Sequence, residues 1–142
     1  MENQVEAITG AEWNVMRIVW SLGGGTTRQI IQMLQDSSDW KDSTIKTLLS
    51  RLVKKGALQT TKDGNRFIYT AVINEQEAMD QTASELFSHM CSKRTGKALI
   101  SLLEKTTMTK SDLNELQRVI ESKLKTAPDK IDCNCLPDGS CK

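Results

Sequence analysis

The alternation of apolar and polar positions is strongest between Ser43 and Gly56. Apolar side chains recur there at the spacing of one helical face, at Ile45, Leu48, Leu49, Leu52 and Val53. Hydroxyls and cations occupy the rest of the surface, at Thr44, Lys46, Thr47, Ser50, Arg51 and Lys54. Asp42 or Ser43 can cap the start of this helix, and Gly56 suits its end. The pattern predicts a helix whose polar face either is simply solvated or hydrogen-bonds base edges and phosphates in a DNA major groove.

Two helices are predicted before this one. Thr9-Gly10-Ala11-Glu12 has the T-x-x-E form of a capping box, and the apolar period that follows continues to about Leu22. Thr26-Thr27-Arg28-Gln29 repeats the form as T-x-x-Q and opens a helix that continues to about Gln35.

The period changes after Gly56. The β-prone runs 57–61 and 66–72 flank Lys62-Asp63-Gly64-Asn65, whose Asp-Gly pair indicates a hairpin turn. Lys62, Asn65 and Arg66 would lie at its tip. Two helices, a basic helix and a hairpin with a cationic tip follow one another as in a winged helix-turn-helix, so we predict a mainly α protein with a small β-hairpin wing.

The second half of the chain is predicted to be helical. Asn74 can cap a helix from Glu75, another helix follows Gly96, and Thr109, Ser111 or Asp112 can cap a third. Their apolar stripes have no sheet to cover, so pairing with a second copy is the simplest way to bury them. The alternative is a monomeric helical appendage. We therefore predict three parts: a DNA-binding domain at 1–73, a helical dimerisation region at 74–125 and a cysteine-containing tail at 126–142.

Composition narrows the function. The 142 residues carry a formal net charge of only +1, but seven basic residues stand against two acidic ones between Trp40 and Arg66. A basic patch on an otherwise neutral chain suits site-selective DNA binding. The chain shows no signal peptide and no apolar run long enough to span a membrane, so we expect a cytoplasmic protein without a membrane partner. One histidine and no nucleophile–base signature argue against an enzyme.

The tail concentrates three of the four cysteines. Cys133, Cys135 and Cys141 surround a Pro-Asp-Gly turn that can bring three sulfurs onto one centre. Three thiolates suit Cu(I), whereas zinc normally takes four ligands and would need a water, a carboxylate or a thiolate from a partner chain. The candidate carboxylates are Asp132 and Asp138. A disulfide or inert thiols are the alternative.

Two further potential metal ligands, Cys91 and His89, precede the tail. Cys91 lies at the end of the predicted fourth helix beside its apolar stripe, and we interpret it as a packing residue. His89 points to another side of that helix, and we interpret it as a surface or interface residue.

These features together carry a family resemblance. The first helix contains Ala11-Glu12-Trp13-Asn14-Val15-Met16 with Trp20, the basic helix reads TIKTLLSRLVKKG over 44–56, and the tail contains Cys133-x-Cys135. The chain resembles the penicillinase-repressor (BlaI/MecI/CopY) family of winged-helix regulators, and within it most closely the copper-responsive CopY branch. The likeness spans nearly the whole chain and is most specific over residues 9–72.

The resemblance implies a homodimeric repressor on a palindromic operator, with a TACA/TGTA core in the copper branch. It also implies that Zn(II) in the tail supports DNA binding and that Cu(I) replaces it and releases the DNA. Two departures stand out. This tail is Cys-x-Cys-x5-Cys, with Ser140 and Lys142 where the branch has its last two cysteines, and Phe87 follows Leu86 rather than the asparagine of the bond that is cleaved in the antibiotic-responsive branch.

Our hypothesis from the sequence is a copper-responsive repressor of copper-homeostasis genes, for which a copper donor protein would be a further partner. The residues predicted to contact DNA are Thr44, Lys46, Thr47, Ser50, Arg51, Lys54, Lys62, Asn65 and Arg66, and those predicted to bind metal are Cys133, Cys135 and Cys141. The alternatives are a repressor that senses silver, cadmium or zinc, and a copper-buffering protein without regulatory DNA binding.

Overall fold

The computed structural model describes residues 5–141, so the predictions that concern residues 1–4 and 142 lie outside it. The described chain contains α1 (Gly10–Leu22), β1 (Gly25–Thr26), α2 (Thr27–Gln35), α3 (Asp42–Lys54), β2 (Leu58–Asp63), β3 (Arg66–Ala71), α4 (Glu75–Ser88), α5 (Thr95–Lys105) and α6 (Lys110–Leu124). It divides into two compact units between Ala83 and Ser84, within α4.

The first unit packs three helices and a small sheet around one apolar core. The predicted capping boxes at Thr9 and Thr26 are both confirmed, because each threonine side chain accepts from the third helical N–H and the residue there returns the bond. The fully buried core side chains include Met16, Ile30 and Ile45. Local chemistry therefore sets where α1 and α2 begin, and burial of one face of each helix assembles the unit.

The start of α3 differs from the prediction. Lys41 is its N-cap and makes no side-chain cap bond, while Asp42 is the first helical residue. The Asp42 carboxylate instead accepts a hydrogen bond of 2.6 Å from Gln35 Nε2 at the end of α2. The predicted cap by Asp42 or Ser43 is therefore wrong, and the Asp42 side chain joins α2 to α3.

The wing is a three-stranded antiparallel sheet in the order β1-β3-β2. The hairpin of β2 and β3 is confirmed, with Asp63 opposite Arg66 across a two-residue turn. Gly64 has φ 64° and Asn65 has negative φ, so glycine takes the first central position, as in a type II′ turn. The sequence did not predict β1, whose Gly25 pairs with Tyr69 and whose Thr26 pairs with Ile68. The neighbouring Gly24 has φ 119°, and a Cβ there would lie 3.1 Å from Thr70 Cγ2.

A buried ion pair links α1 to the end of α3. Glu12 is fully buried, and its Oε1 accepts from the Thr9 N–H and from Lys55 Nζ. Lys55 Nζ also donates to the carbonyl of Ala7 at 2.9 Å, while Glu12 Oε2 has no hydrogen-bond partner among the described residues. Burial raises the pKa of Glu12, but the bonds from Lys55 and Thr9 outweigh it and leave the pKa below its ordinary value of 4.5.

The second unit buries little apolar surface of its own. The predicted caps at Asn74 and Thr109 are confirmed, since both side chains accept from backbone N–H groups of the following turn. Neither α5 nor α6 contains a buried residue, and Leu102, Val119 and Leu124 are among their exposed apolar side chains. Within residues 5–141, no helix has the length and apolar character needed to cross a membrane.

The Glu12–Lys55 pair generates a stability prediction. Lys55→Met removes the partner of a buried carboxylate, so the free energy of unfolding should fall by about 2–4 kcal/mol at neutral pH. Because the pair holds the pKa of Glu12 below 4.5, its stabilisation is present above that pH and is lost as the pH falls through the lowered pKa. The difference between the wild type and Lys55→Met should therefore narrow in acid. Urea unfolding followed by tryptophan fluorescence reports on this unit, which holds Trp13, Trp20 and Trp40.

Lys54→Met is the matched control, because Lys54 is the exposed neighbour on the same turn. It should change the free energy of unfolding by less than about 0.5 kcal/mol. Equal losses in the two variants, or a Lys55→Met loss that is the same at every pH, would contradict this account.

Candidate DNA-binding surface and candidate metal centre

The two faces of α3 are cleanly separated. Ile45, Leu49 and Leu52 are fully buried, and Leu48 is 5% exposed. All six residues predicted to contact DNA from this helix are exposed, namely Thr44, Lys46, Thr47, Ser50, Arg51 and Lys54. The structure thus brings them together on one open surface, which is lined by hydroxyls and cations.

The hairpin adds a second exposed basic element. Lys62, Asn65 and Arg66 are all exposed, and Arg66 Nη2 lies 3.2 Å from the carboxylate of Asp63. Exposed pairs of this kind are weak, so Arg66 remains available to a stronger anion such as a phosphate.

A groove between the wing and the start of α2 is lined by Arg28 together with Asn65 and Arg66. Sequence reasoning missed Arg28. The signal was its place in the first turn of a capped helix, where anions bind favourably, but only the fold brings the wing beside it.

Lys55 does not belong to this basic surface. Its side chain is directed to Glu12 and to the Ala7 carbonyl, and it is mostly buried. The sequence-based count of seven basic residues therefore overstates the accessible positive charge by one. The capping box identified the role of Glu12 at Thr9 but gave no sign of its pairing with a residue so distant in the chain.

All four cysteines converge in the second unit. The Sγ atoms of Cys91, Cys133, Cys135 and Cys141 all lie within 4.8 Å of one another. Cys91 Sγ is 3.6 Å from Cys133 Sγ and 3.7 Å from Cys141 Sγ. A tetrahedral zinc ion with Zn–S bonds of about 2.3 Å separates its sulfur ligands by about 3.8 Å. The group therefore fits a thiophilic metal ion, and none of the four is in a disulfide.

Hydrogen bonds of the neighbouring residue Ser92 hold the tail against the segment that follows α4. The Ser92 N–H donates to Asn134 Oδ1 and its hydroxyl donates to the Asp132 carbonyl, both at 2.9 Å. In the tail, the Gly139 N–H closes a turn onto the Leu136 carbonyl. These bonds connect the segment that contains Cys91 with the tail that contains the other three cysteines.

The sequence analysis interpreted Cys91 as a packing residue, and the structure places it in the group with the other three cysteines. It is only partly buried, and its sulfur neighbours are the other cysteines. Among residues 5–141 the group of potential ligands contains no carboxylate: Asp138 instead accepts from the N–H and hydroxyl of Ser140, which lower its pKa. His89 is exposed, as predicted, and lies outside the group. Since zinc takes four ligands, the fourth cysteine of the chain was the available signal.

The thiols influence one another's protonation. The neighbouring thiol of Cys135 lowers the pKa of Cys91 to about 7, because a hydrogen bond stabilises its thiolate. Interactions with Cys133 and then Cys91 raise the pKa of Cys135 to about 12, and the same two neighbours raise the pKa of Cys141. Negative charge in the cluster thus concentrates on few sulfurs, and any metal that binds them must displace protons.

The fold and the exposed surface define a class of protein. Three helices, an amphipathic third helix with cationic groups outward and a β-hairpin beside them constitute a winged helix-turn-helix DNA-binding domain.

Comparison with known proteins assigns the family. The sequence profile described as penicillinase repressor matches residues 8–122, and the chain belongs to that family. The uncharacterized 16.5 kDa protein in the ptsI 3′ region of Latilactobacillus sakei is 49% identical over 138 residues, 97% of this chain and 94% of that protein. The penicillinase repressor of Bacillus licheniformis is 30% identical over 118 residues, covering 83% of this chain and 92% of the relative.

A solved structure matches about half of the chain. The solution structure of the Bacillus licheniformis BlaI monomeric form in complex with the blaP half-operator is 40% identical, with a TM-score of 0.47, over 51% of this chain and 89% of that one. Family membership makes this chain a DNA-binding transcriptional repressor rather than an enzyme.

Proposed function

We propose that this repressor responds to copper: the dimer holds a palindromic operator of copper-homeostasis genes and releases it when Cu(I) binds the clustered cysteines. The observation that carries the proposal is the convergence of the cysteine sulfurs within 4.8 Å on a chain of the penicillinase repressor family. Thiolates are the ligands that Cu(I) prefers, and the resemblance to the CopY branch points to the same metal.

The DNA-contacting surface proposed here consists of α3 and the wing. Exposed hydroxyls and cations at the positions of Thr47, Ser50 and Arg51 suit base edges in the major groove, while the lysines suit phosphates. Lys62, Asn65 and Arg66 would contact the flanking backbone. Thr47 donates its hydroxyl proton to the Ser43 carbonyl at 2.9 Å, so it would act toward a base as an acceptor.

The unburied face of the second unit supports a homodimer. Apolar residues on α5 and α6 at the predicted seams, such as Leu99, Leu113 and Ile120, are between about two-fifths and one-half exposed. A second copy would remove these apolar side chains from water most simply, and two copies would carry two α3 helices for a two-fold operator.

The connection between the two functions would run through α4. This helix begins in the first unit and ends at Ser88, shortly before Cys91. A change in the cysteine group would thus act on a segment that is continuous with the end of the winged domain. A coupling of about 1–3 kcal/mol would change operator affinity roughly 5–150-fold.

Operator binding titrated with Cu(I) under reducing conditions tests the proposal. Cu(I) should lower the operator affinity of the wild type roughly 5–150-fold. The variant Cys133→Ser with Cys135→Ser should bind the operator but lose this response, because two of the sulfur ligands are gone. Fluorescence anisotropy of a labelled operator measures both affinities.

Asp132→Asn is the control, since its backbone contacts the segment after α4 but its carboxylate is outside the sulfur group. It should respond to Cu(I) like the wild type. The copper response through the tail would be refuted if Cu(I) released the double-serine variant from the operator. It would also be refuted if the wild type held the operator at every copper concentration.

Arg51→Ala tests the proposed base contact. If Arg51 binds a guanine edge, its loss should cost about 1–3 kcal/mol on the operator and reduce discrimination against a substituted base pair. Arg17→Ala is the matched control, because Arg17 is also an exposed arginine but lies on α1 outside the proposed surface. If Arg51→Ala has the same affinity as Arg17→Ala for the operator and for the operator with a substituted base pair, Arg51 does not read a base.

Lys62→Ala tests the proposed backbone contact of the wing. Removing one phosphate contact should weaken operator and unrelated DNA by similar factors, and should reduce the slope of log affinity against log salt by about one. An unchanged salt slope would remove Lys62 from the interface, and a loss confined to the operator would make it a base contact.

A further inference from the structure

We infer that Cys91 closes a four-thiolate site for a single Zn(II) ion within one chain, so that the tail needs no ligand from a partner. The inference deepens the proposed function and rests on it, because it assumes that the tail is the metal-binding segment. It names a ligand outside the tail and gives a stoichiometry of one zinc ion per chain.

The sulfur geometry carries the inference. Three cysteines in the tail leave zinc one ligand short, and the described carboxylates nearest in sequence are not in the group. Cys91 supplies the missing sulfur at 3.6 Å from Cys133 and 3.7 Å from Cys141. Both distances are close to the roughly 3.8 Å between sulfurs on a tetrahedral zinc ion.

The backbone around Cys91 is already arranged to accept the tail. The Cys91 carbonyl accepts from the Arg94 N–H and from the Thr95 hydroxyl, both at 3.0 Å, which fixes the turn between α4 and α5. Ser92 then holds the tail through its bonds to Asp132 and Asn134. Hydrogen bonds therefore position both sides of the site, which reduces the ordering that zinc binding requires.

Co(II) is the probe for the ligand set, because thiolate bonds to tetrahedral cobalt absorb in the near ultraviolet and its coordination sets the visible bands. The reduced full-length protein should bind one Co(II) per chain. In Cys91→Ser the sulfur-to-cobalt absorption should fall by about a quarter, since one of four bonds is lost. Zinc affinity, measured by chelator competition, should fall about tenfold or more.

Two further variants separate a ligand from a packing residue. Cys91→His should restore zinc affinity toward that of the wild type with a shifted cobalt spectrum, because three thiolates and one imidazole also form a zinc site. His89→Ala should leave spectrum and affinity unchanged, since His89 is exposed and outside the group. Far-ultraviolet circular dichroism checks that each variant retains its helices.

Wild-type affinity and an unchanged cobalt spectrum in Cys91→Ser would overturn the inference, as would loss of zinc in His89→Ala. One zinc ion shared by two chains would overturn it as well. These readouts use neither operator nor copper, so they separate the two proposals. Zinc bound through Cys91 in a protein whose operator binding ignores Cu(I) would refute only the copper response.

Discussion

The one-sided burial of α3 is the constraint on which the DNA-binding unit depends. Its apolar face supplies Ile45, Leu49 and Leu52 to the core that α1, α2 and the sheet share, so the helix cannot rotate without exposing them. The same rotation would be needed to turn its cationic face away from solvent. Core packing and the orientation of the candidate contact surface are therefore fixed by a single set of contacts. The ion pair between Lys55 and Glu12 also holds the end of α3 against α1.

The second unit is organised differently, because polar and sulfur contacts rather than apolar burial define its best-formed region. Cys133 is buried there, whereas α5 and α6 bury no residue. The hydrogen bonds of Ser92 tie the tail to the turn after α4, so the four sulfurs meet although Cys91 and Cys133 are far apart in the chain. A metal ion that contacts all of them would link that turn to the tail, which is the change that the proposed regulation requires.

Sequence reasoning succeeded where the determining contacts are local. The boxes at Thr9 and Thr26 span four residues each, and the hairpin turn spans two, so residue type and spacing contain most of the information. It failed where the partner lies in another element or segment of the chain. The carboxylate of Asp42 turned to α2, Lys55 joined a buried glutamate on α1, and Cys91 met the tail. The strand β1 was missed because two residues are too few to show an alternation of apolar and polar positions. Only their pairing with β3 defines them as a strand.

That short strand has a thermodynamic consequence for the wing. β1 attaches the turn before α2 to β3, so the hairpin is the outer part of a three-stranded sheet rather than a free arm. Ordering a loose hairpin on contact with DNA would cost about 1–2 kcal/mol for each residue whose backbone becomes fixed. Here the chain meets that entropic cost during folding, and the close approach of Gly24 to Thr70 shows how little room the attachment leaves for a side chain.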